Sequence, residues 1–132
     1  MEKLKITKQS LLSTLWIFVL LNMIFRDLHE LAKKSYIEKI LSSEIAEELL
    51  LVFGFVLEIP ILMVVLSKIL NDKTNKWANL VAALIVFFGL LSTAPSADLD
   101  DIFFMIMKCA ALLVITITAW KLPLSTKKVE QP

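Results

Sequence analysis

The chain has 132 residues, of which 58% are hydrophobic, and it contains only two glycines and four prolines. This is more apolar side chain than one small water-soluble core can enclose, so the composition predicts a chain that folds in lipid. The 14 basic and 13 acidic residues nearly balance and form no basic stripe, which argues against nucleic acid as a partner. The single cysteine, Cys109, excludes an intrachain disulfide.

Four apolar segments predict an all-α fold, namely a polytopic membrane protein built as one bundle of four transmembrane helices. Each segment approaches the ~20 residues that an α-helix needs to cross the hydrocarbon of a bilayer. The first segment follows basic residues and resembles a secretion signal, but it lacks a small-residue cleavage site and is expected to remain as a span. The expected spans cover about residues 10–31, 45–70, 76–94 and 99–121, within a single transmembrane domain of residues 1–132.

Polar residues between the segments indicate where the helices begin and end. Ser42 and Ser43 stand before several glutamates, a pattern typical of a helix N-terminus, where a hydroxyl caps the backbone and the helix dipole favours negative charge. The polar run 71–75 predicts a short turn, which makes the second and third spans antiparallel neighbours. The acidic run 98–101 predicts a dipole-matched start of the last helix, an interpretation favoured over a cation site.

The distribution of basic residues predicts how the bundle lies in the membrane. Nine lysines fall in the two tails and the second loop, against four basic residues in the first loop and none in the third. By the positive-inside rule, both termini are expected in the cytoplasm of a cell whose inner membrane holds the protein. Trp16, Trp77 and Trp120 are expected on that same face, as an interfacial belt that fixes helix depth rather than as a ligand-stacking site.

Two charged residues, Glu58 and Lys108, stand deep inside apolar segments. A charge at the middle of a spanning helix costs about 2.5 to 3.5 kcal/mol on insertion scales. From the helix rise, Glu58 lies about 14 Å and Lys108 about 9 Å from the same face, a difference that the lysine stem can cover. We therefore expect these two residues to pair inside the bundle or across a subunit contact. A structural clasp between helices is favoured over a proton or cation relay.

Two residues near Glu58 bear on the shape of the second span. Pro60 removes a backbone hydrogen bond and predicts a helix kink. Gly54 lies one turn before Glu58 on the same helix face and would let another helix approach closely. A cavity beside the acid and a simple bend in a packed bundle both fit this pattern.

A polar cluster is expected at the end of the first span. Asn22, Arg26 and His29 follow one helical face, while Asp27 and Glu30 fall on the neighbouring face. Arg26 can pair with Glu30 four residues later. Salt bridges that close this end of the bundle are favoured over a binding mouth, and no metal site is assigned, because one histidine with two nearby acids is weak evidence for one.

Three groups of residues look familiar: Leu15-Trp16-x-Phe18 with Asn22 and Asp27, Glu58-Ile59-Pro60 with Met63, Ser67 and Leu70, and Asn75-x-Trp77-x-Asn79. Together they resemble a family of small four-span bacterial membrane proteins of unknown function, with a remoter architectural likeness to DoxX-like proteins. The resemblance implies a four-helix membrane bundle and a bacterial source, and it implies no activity. Small multidrug transporters have a similar size and an intramembrane glutamate, but theirs lies in the first helix and Glu58 lies in the second.

No catalytic motif, phosphate loop or cofactor motif is present in the sequence. The leading functional hypothesis is a non-enzymatic accessory or assembly subunit that contacts lipid and either a second copy or another membrane protein. The second hypothesis is a small proton- or cation-coupled transporter or channel centred on Glu58. The third is a quinone-linked redox subunit of the membrane.

Overall fold

Across residues 7–96 and 98–122, which the computed structural model describes, the chain is helical and forms no strand. Its elements are α1 (Lys8–Leu31), α2 (Lys34–Ser42), α3 (Glu47–Ile69), α4 (Asp72–Thr93), a single 3-10 turn (Ala94–Ser96) and α5 (Leu99–Trp120). All of these helices except α2 are long and apolar enough to cross a membrane, by length and composition. With 22 to 24 residues each, they extend about 33 to 36 Å, enough for a hydrocarbon core of ~30 Å. The predicted all-α bundle of four membrane helices is confirmed.

The short helix α2 was not predicted, and it changes the interpretation of the two serines. Ser42 is the last residue of α2 and Ser43 is its C-cap. Their hydroxyls donate to the carbonyls of Lys39 and Ile40, one turn earlier, at 3.1 and 3.2 Å. The expectation that they cap the second span is therefore wrong, since α3 begins only at Glu47.

Side-chain caps explain where α1 and α4 begin. Thr7 Oγ1 accepts the backbone N–H of Ser10 at 3.1 Å, which satisfies one of the free amides at the start of α1. Asn71 Oδ1 accepts the backbone N–H of Thr74 at 3.0 Å. Because of this cap, α4 begins at Asp72, inside the run that was expected to form a turn.

The antiparallel helices give the bundle two ends. At one end Lys8 Nζ donates to the Lys121 carbonyl at 3.0 Å and Gln9 Nε2 donates to Asp72 at 2.7 Å, and we call it the tail end. The other end holds α2 and the α4–α5 connection, and we call it the loop end. The predicted cytoplasmic orientation of the tail end stays a prediction, and the two tails that carry much of its lysine count lie mostly outside the described residues.

The four long helices pack as a ring in which α1 and α4 each lie between α3 and α5. The largest enclosed apolar side chains come from α1 and α5 and include Leu12, Trp16, Val19 and Ile115. Large apolar side chains also cover much of the outside, for example Phe55, Phe88, Phe103 and Leu113, each 59% to 68% exposed. Such a surface is typical of helices that face lipid.

Helix α3 is buried unevenly along its length. Its three buried residues, Pro60, Met63 and Ser67, all lie in the half that approaches the tail end. From Glu47 to Glu58 every residue is exposed except Val56, which is half-buried. The half of α3 toward the loop end is therefore the most weakly packed part of the long helices.

Candidate functional site

A network of buried polar side chains joins α1, α3 and α4 in the half of the bundle toward the tail end. The indole N–H of Trp16 donates to Asn79 Oδ1 at 2.7 Å, and the Ser67 hydroxyl donates to the same oxygen at 3.3 Å. Asn79 Nδ2 donates to Asn75 Oδ1 at 2.6 Å, and Asn75 Nδ2 donates to the Ser67 carbonyl at 2.8 Å. All four residues are fully buried. Because its groups satisfy one another, this network fixes helix neighbours and is structural.

The three tryptophans do not share one environment. Trp16 is fully buried in the core, so it does not lie in an interfacial belt. Its N–H donates to Asn79 inside the bundle. Trp77 and Trp120 are 51% and 63% exposed, so the belt interpretation is kept for these two alone. The Lys76 ammonium lies 4.4 Å from the ring centroid of Trp120, a distance at which cation and ring attract each other.

At the loop end, the polar residues of α1 pair with the acidic start of α5. Arg26 Nε donates to Asp101 Oδ1 at 2.8 Å, and Asp101 is largely buried. His29 Nε2 lies 3.4 Å from Asp100 Oδ2. The expected pair of Arg26 with Glu30 is not the one formed, because α5 brings a carboxylate closer to the guanidinium. These contacts join the end of α1 to the start of α5 at the loop end of the bundle.

Lys33, which sequence reasoning did not include, is the centre of the same cluster. Its ammonium lies 2.8 Å from Glu30 Oε1, 3.0 Å from Asp98 Oδ2 and 3.0 Å from Asp100 Oδ2. The hydrogen bond to Glu30, with those to the two aspartates, raises the pKa of Lys33 above its usual value. Its contribution to stability is therefore complete below the lysine pKa of the unfolded chain and is lost only as the pH rises through the higher folded value.

The carboxylates of Glu30, Asp100 and Asp101 lie within 4.8 Å of one another, a spacing at which they could share a metal ion. Lys33 already supplies a positive charge to the first two, and Arg26 supplies one to the third. Each of these carboxylates therefore already has a cationic partner, and no metal site is proposed from the acids alone. The sequence could have indicated the contact of Lys33 with Asp98 and Asp100. Lys33 lies in the first loop and the aspartates lie at the end of the third, and both loops were expected on the same side of the membrane.

The remaining members of the predicted cluster play smaller parts. Asn22 Nδ2 donates to the Phe18 carbonyl at 2.8 Å, within its own helix, and so stands apart from the ion pairs. Asp27 is 59% exposed and lies 3.4 Å from Arg26 Nη1. An exposed pair of this kind contributes little to stability.

Between the weakly packed half of α3 and the other helices lies a cavity of about 500 Å³. It reaches from the core toward the loop end. Its polar lining includes Arg26, Asp27, Tyr36, Asp101 and Lys108. Its apolar lining comes largely from α3 and α4, namely Val52, Phe53, Val56, Leu57, Val86, Gly89 and Leu90. The cavity combines apolar walls with a few converging polar groups, the usual composition of a small-molecule site.

Lys108 is the unusual member of this lining. It is 6% exposed and makes no hydrogen bond or ion pair with any residue in the described ranges. Every fully enclosed side-chain nitrogen or oxygen in the same part of the chain has a partner. The ammonium of Lys108, which has none, is therefore not enclosed and opens onto the cavity that it lines.

Glu58 lies on a different side of α3 from this cavity. It is exposed and is not part of the cavity lining, so the structure does not bring it to Lys108 within one chain. Pro60 is buried toward the bundle, whereas an added Cβ on Gly54 would meet nothing within 4 Å. Gly54 and Glu58 thus share an open face, and the pairing of Glu58 with Lys108 across a subunit contact stays a prediction. α3 continues as one helix through Pro60, and the predicted kink also stays a prediction.

The fold and these sites define an all-helical, multi-pass membrane protein with a closed polar network at one end and a lysine-lined cavity toward the other. The chain belongs to a family of unknown function, DUF6326, whose model matches residues 2–125. No curated protein and no solved structure matches the chain. The family match agrees with the expected family without an assigned activity, while the likeness to DoxX-like proteins and the bacterial source stay predictions.

Proposed function

We propose that this protein is a membrane-embedded assembly subunit that associates laterally with a second copy of itself through α3. The observation that carries the proposal is Glu58, an exposed side chain on an otherwise apolar helix face. In the described part of the chain it has no hydrogen bond and no ion pair. The leading hypothesis from the sequence, an interaction subunit rather than an enzyme, is thus given a definite surface.

The energetic argument starts from the cost of leaving a carboxyl against lipid. A charge at the centre of a spanning helix costs about 2.5 to 3.5 kcal/mol, and hydrogen bonding to a neighbouring helix is one of the few ways to offset that cost. Gly54 lies on the same face with open space above it, so a second helix can approach the backbone closely. The α3 face therefore combines a group that requires a partner with a surface that admits one.

A second copy is the partner that fits this face best. Two carboxyl groups can hydrogen-bond to each other, so this kind of side chain is complementary to itself. In a two-fold contact the same residue meets its own counterpart, which places Glu58 against Glu58 and Gly54 against the opposite helix. The other candidate partner for Glu58 is Lys108 of a second copy. Lys108 is buried inside its own chain and is not available at the surface.

Transport centred on Glu58 is the competing hypothesis, and the geometry favours it less. Glu58 does not line the cavity beside α3, so that cavity does not connect it to the inside of its own bundle. A proton-coupled carboxylate needs exposure to both sides of the membrane in turn, which a fixed contact between two helices does not offer.

The test measures the oligomeric state in liposomes over a range of protein-to-lipid ratios, by single-molecule photobleaching. We expect dimers for the native chain, mostly retained in Glu58→Gln, which keeps donor and acceptor, and lost in Glu58→Ala. Leu113→Ala, an exposed apolar position on α5, is the matched control and should remain dimeric.

Three results would overturn the proposal. The native chain could be monomeric at every density, Glu58→Ala could dimerise as the native chain does, or assembly could require a different membrane protein. A Glu58→Gln variant that dimerises normally but loses a proton-driven flux would instead support transport.

A further inference from the structure

We propose that the cavity beside α3 is a binding site for an amphiphile, whose single anionic oxygen head pairs with Lys108 and whose apolar tail lies against the loop-end half of α3. This goes beyond the proposed assembly, which uses the opposite face of the same helix. Two independent observations support it. One is the cavity of about 500 Å³. The other is the largely buried residue Lys108, whose ammonium opens onto the cavity and has no partner in the described part of the chain. Cavities that bind small molecules are typically ~300–1,000 Å³ in volume.

The charges along the wall select the head group. Arg26 is already engaged by Asp101 at 2.8 Å and by Asp27 at 3.4 Å. Lys108 is therefore the cation on this wall that lacks a partner. A doubly anionic head would find no second free cation among the described residues that line the cavity. One negative charge, as on a carboxylate or a phosphodiester, matches the site.

The apolar wall selects the rest of the molecule. Val52, Phe53, Val56 and Leu57 face the cavity from α3, opposite Val86 and Leu90 of α4. These residues of the wall offer hydrocarbon contact alone, so a flexible alkyl tail satisfies them.

Access to the cavity follows from the packing of α3. No residue from Glu47 to Glu58 is buried, so this half of the helix can move away from the bundle at little cost in lost contacts. Tyr36 of α2 lines the loop-end side of the cavity. The site is therefore open to a lipid-soluble ligand that enters sideways from the membrane.

The experiment measures binding of radiolabelled palmitate to the purified full-length chain in detergent. We expect saturable binding by the native chain, at least tenfold weaker binding by Lys108→Met, and recovery in Lys108→Arg. Hexadecanol, which has the same tail without the charge, should bind at least tenfold more weakly than palmitate, and butyrate, a charged head without the tail, should not bind. Lys68→Met removes an exposed lysine from α3 and is the matched control.

Gly89→Leu provides a second variant that leaves Lys108 unchanged. An added Cβ at Gly89 meets only Val56, at 4.0 Å, so the larger side chain can enter the cavity without a clash with the backbone. We expect it to reduce palmitate binding at least tenfold while the chain remains folded.

Competition with phosphatidylglycerol distinguishes the two sources of the head group. Displacement of palmitate identifies a membrane lipid as a fitting occupant, and no displacement identifies a free acid, and both results support the site. Unchanged palmitate binding in Lys108→Met and Gly89→Leu, or hexadecanol binding as tight as that of palmitate, would overturn it.

Discussion

The two halves of this bundle differ in whether the polar side chains within the membrane span have hydrogen-bond partners. Toward the tail end, the side chains of Trp16, Ser67, Asn75 and Asn79 are fully buried and satisfy one another. Beyond Pro60, toward the loop end, α3 loses its buried contacts, and Lys108 and Glu58 are both left without partners in the described chain. A membrane bundle has few means of holding its helices in register, and this one has a fully buried network in the tail-end half and ion pairs at the loop end, with Lys108 and Glu58 between them. The unsatisfied groups of the other half are therefore the ones available for function.

The largest effect is expected from breaking the closed network. Asn79→Leu keeps the side-chain size but removes the partner that Asn79 supplies to the Trp16 N–H, the Ser67 hydroxyl and the side-chain oxygen of Asn75. Each unsatisfied buried group costs about 1–3 kcal/mol, so we expect a loss of about 3 kcal/mol in the free energy of unfolding. The measurement is reversible unfolding in mixed micelles. Asn22→Leu is the control, since it loses only a bond within its own helix, and equal losses in both variants would contradict the network.

A smaller loss is expected at the loop end, where the ion pairs are partly solvated. Arg26→Met leaves the largely buried carboxylate of Asp101 without its cation. We expect a loss of about 1–2 kcal/mol, below that of a fully buried pair, because Arg26 is 29% exposed. In the control, Lys34→Met breaks an exposed pair with Glu38 at 4.0 Å and should change stability by less than about 0.5 kcal/mol. The comparison fails if the two variants unfold alike.

Removing the charge of Lys108 is expected to raise the free energy of unfolding, in contrast to the two losses above. Lys108→Met removes the charge of a largely buried residue that has no partner in the described part of the chain, so the ligand-free chain should gain about 1 kcal/mol in stability. Thermal unfolding of delipidated protein measures this difference, with Lys68→Met as the exposed control. A loss of stability comparable to that of Asn79→Leu would show that Lys108 is a structural member of the bundle.

The smallest effect on the fold is expected at Glu58. Because Glu58 is exposed and has no partner among the described residues, Glu58→Ala should change the unfolding free energy of the monomer by less than about 0.5 kcal/mol. The measurement is made at low protein-to-lipid ratio, where the chain is expected to be a monomer. A large loss of unfolding free energy there would show that Glu58 packs within its own bundle and not at a contact between copies.

The sequence predicted the helices better than the side-chain partners. Apolar length alone identifies the four long helices, since nothing shorter crosses a bilayer. Helix α2 was missed because it has only nine residues, all of them outside the core, and carries no such signal. Trp16 was misplaced because an aromatic residue near a basic tail is typical of an interface, whereas its partner Asn79 lies 63 residues away in sequence.

The expected pairing of Glu58 with Lys108 shows why depth is not enough. Helix rise gives how far along the axis a residue lies, and it says nothing about the direction in which the residue points. Pro60, Met63 and Ser67 follow the spacing of one face, and it is this face that is buried. Glu58 lies two residues before Pro60, which on a helix of 3.6 residues per turn directs it almost oppositely. That spacing is present in the sequence, and it predicts that the Glu58 side chain points away from the bundle.

Cysteine cross-linking across the α3 face tests the central claim most directly. In a Cys109→Ala background, a single cysteine is placed at Leu62, one turn after Glu58, or at Leu113 on the exposed side of α5. Mild oxidation in native-like lipid should give a disulfide-linked dimer for Leu62→Cys and none for Leu113→Cys. Cross-linking at Leu113 alone, or none at Leu62, would contradict a contact between copies at α3.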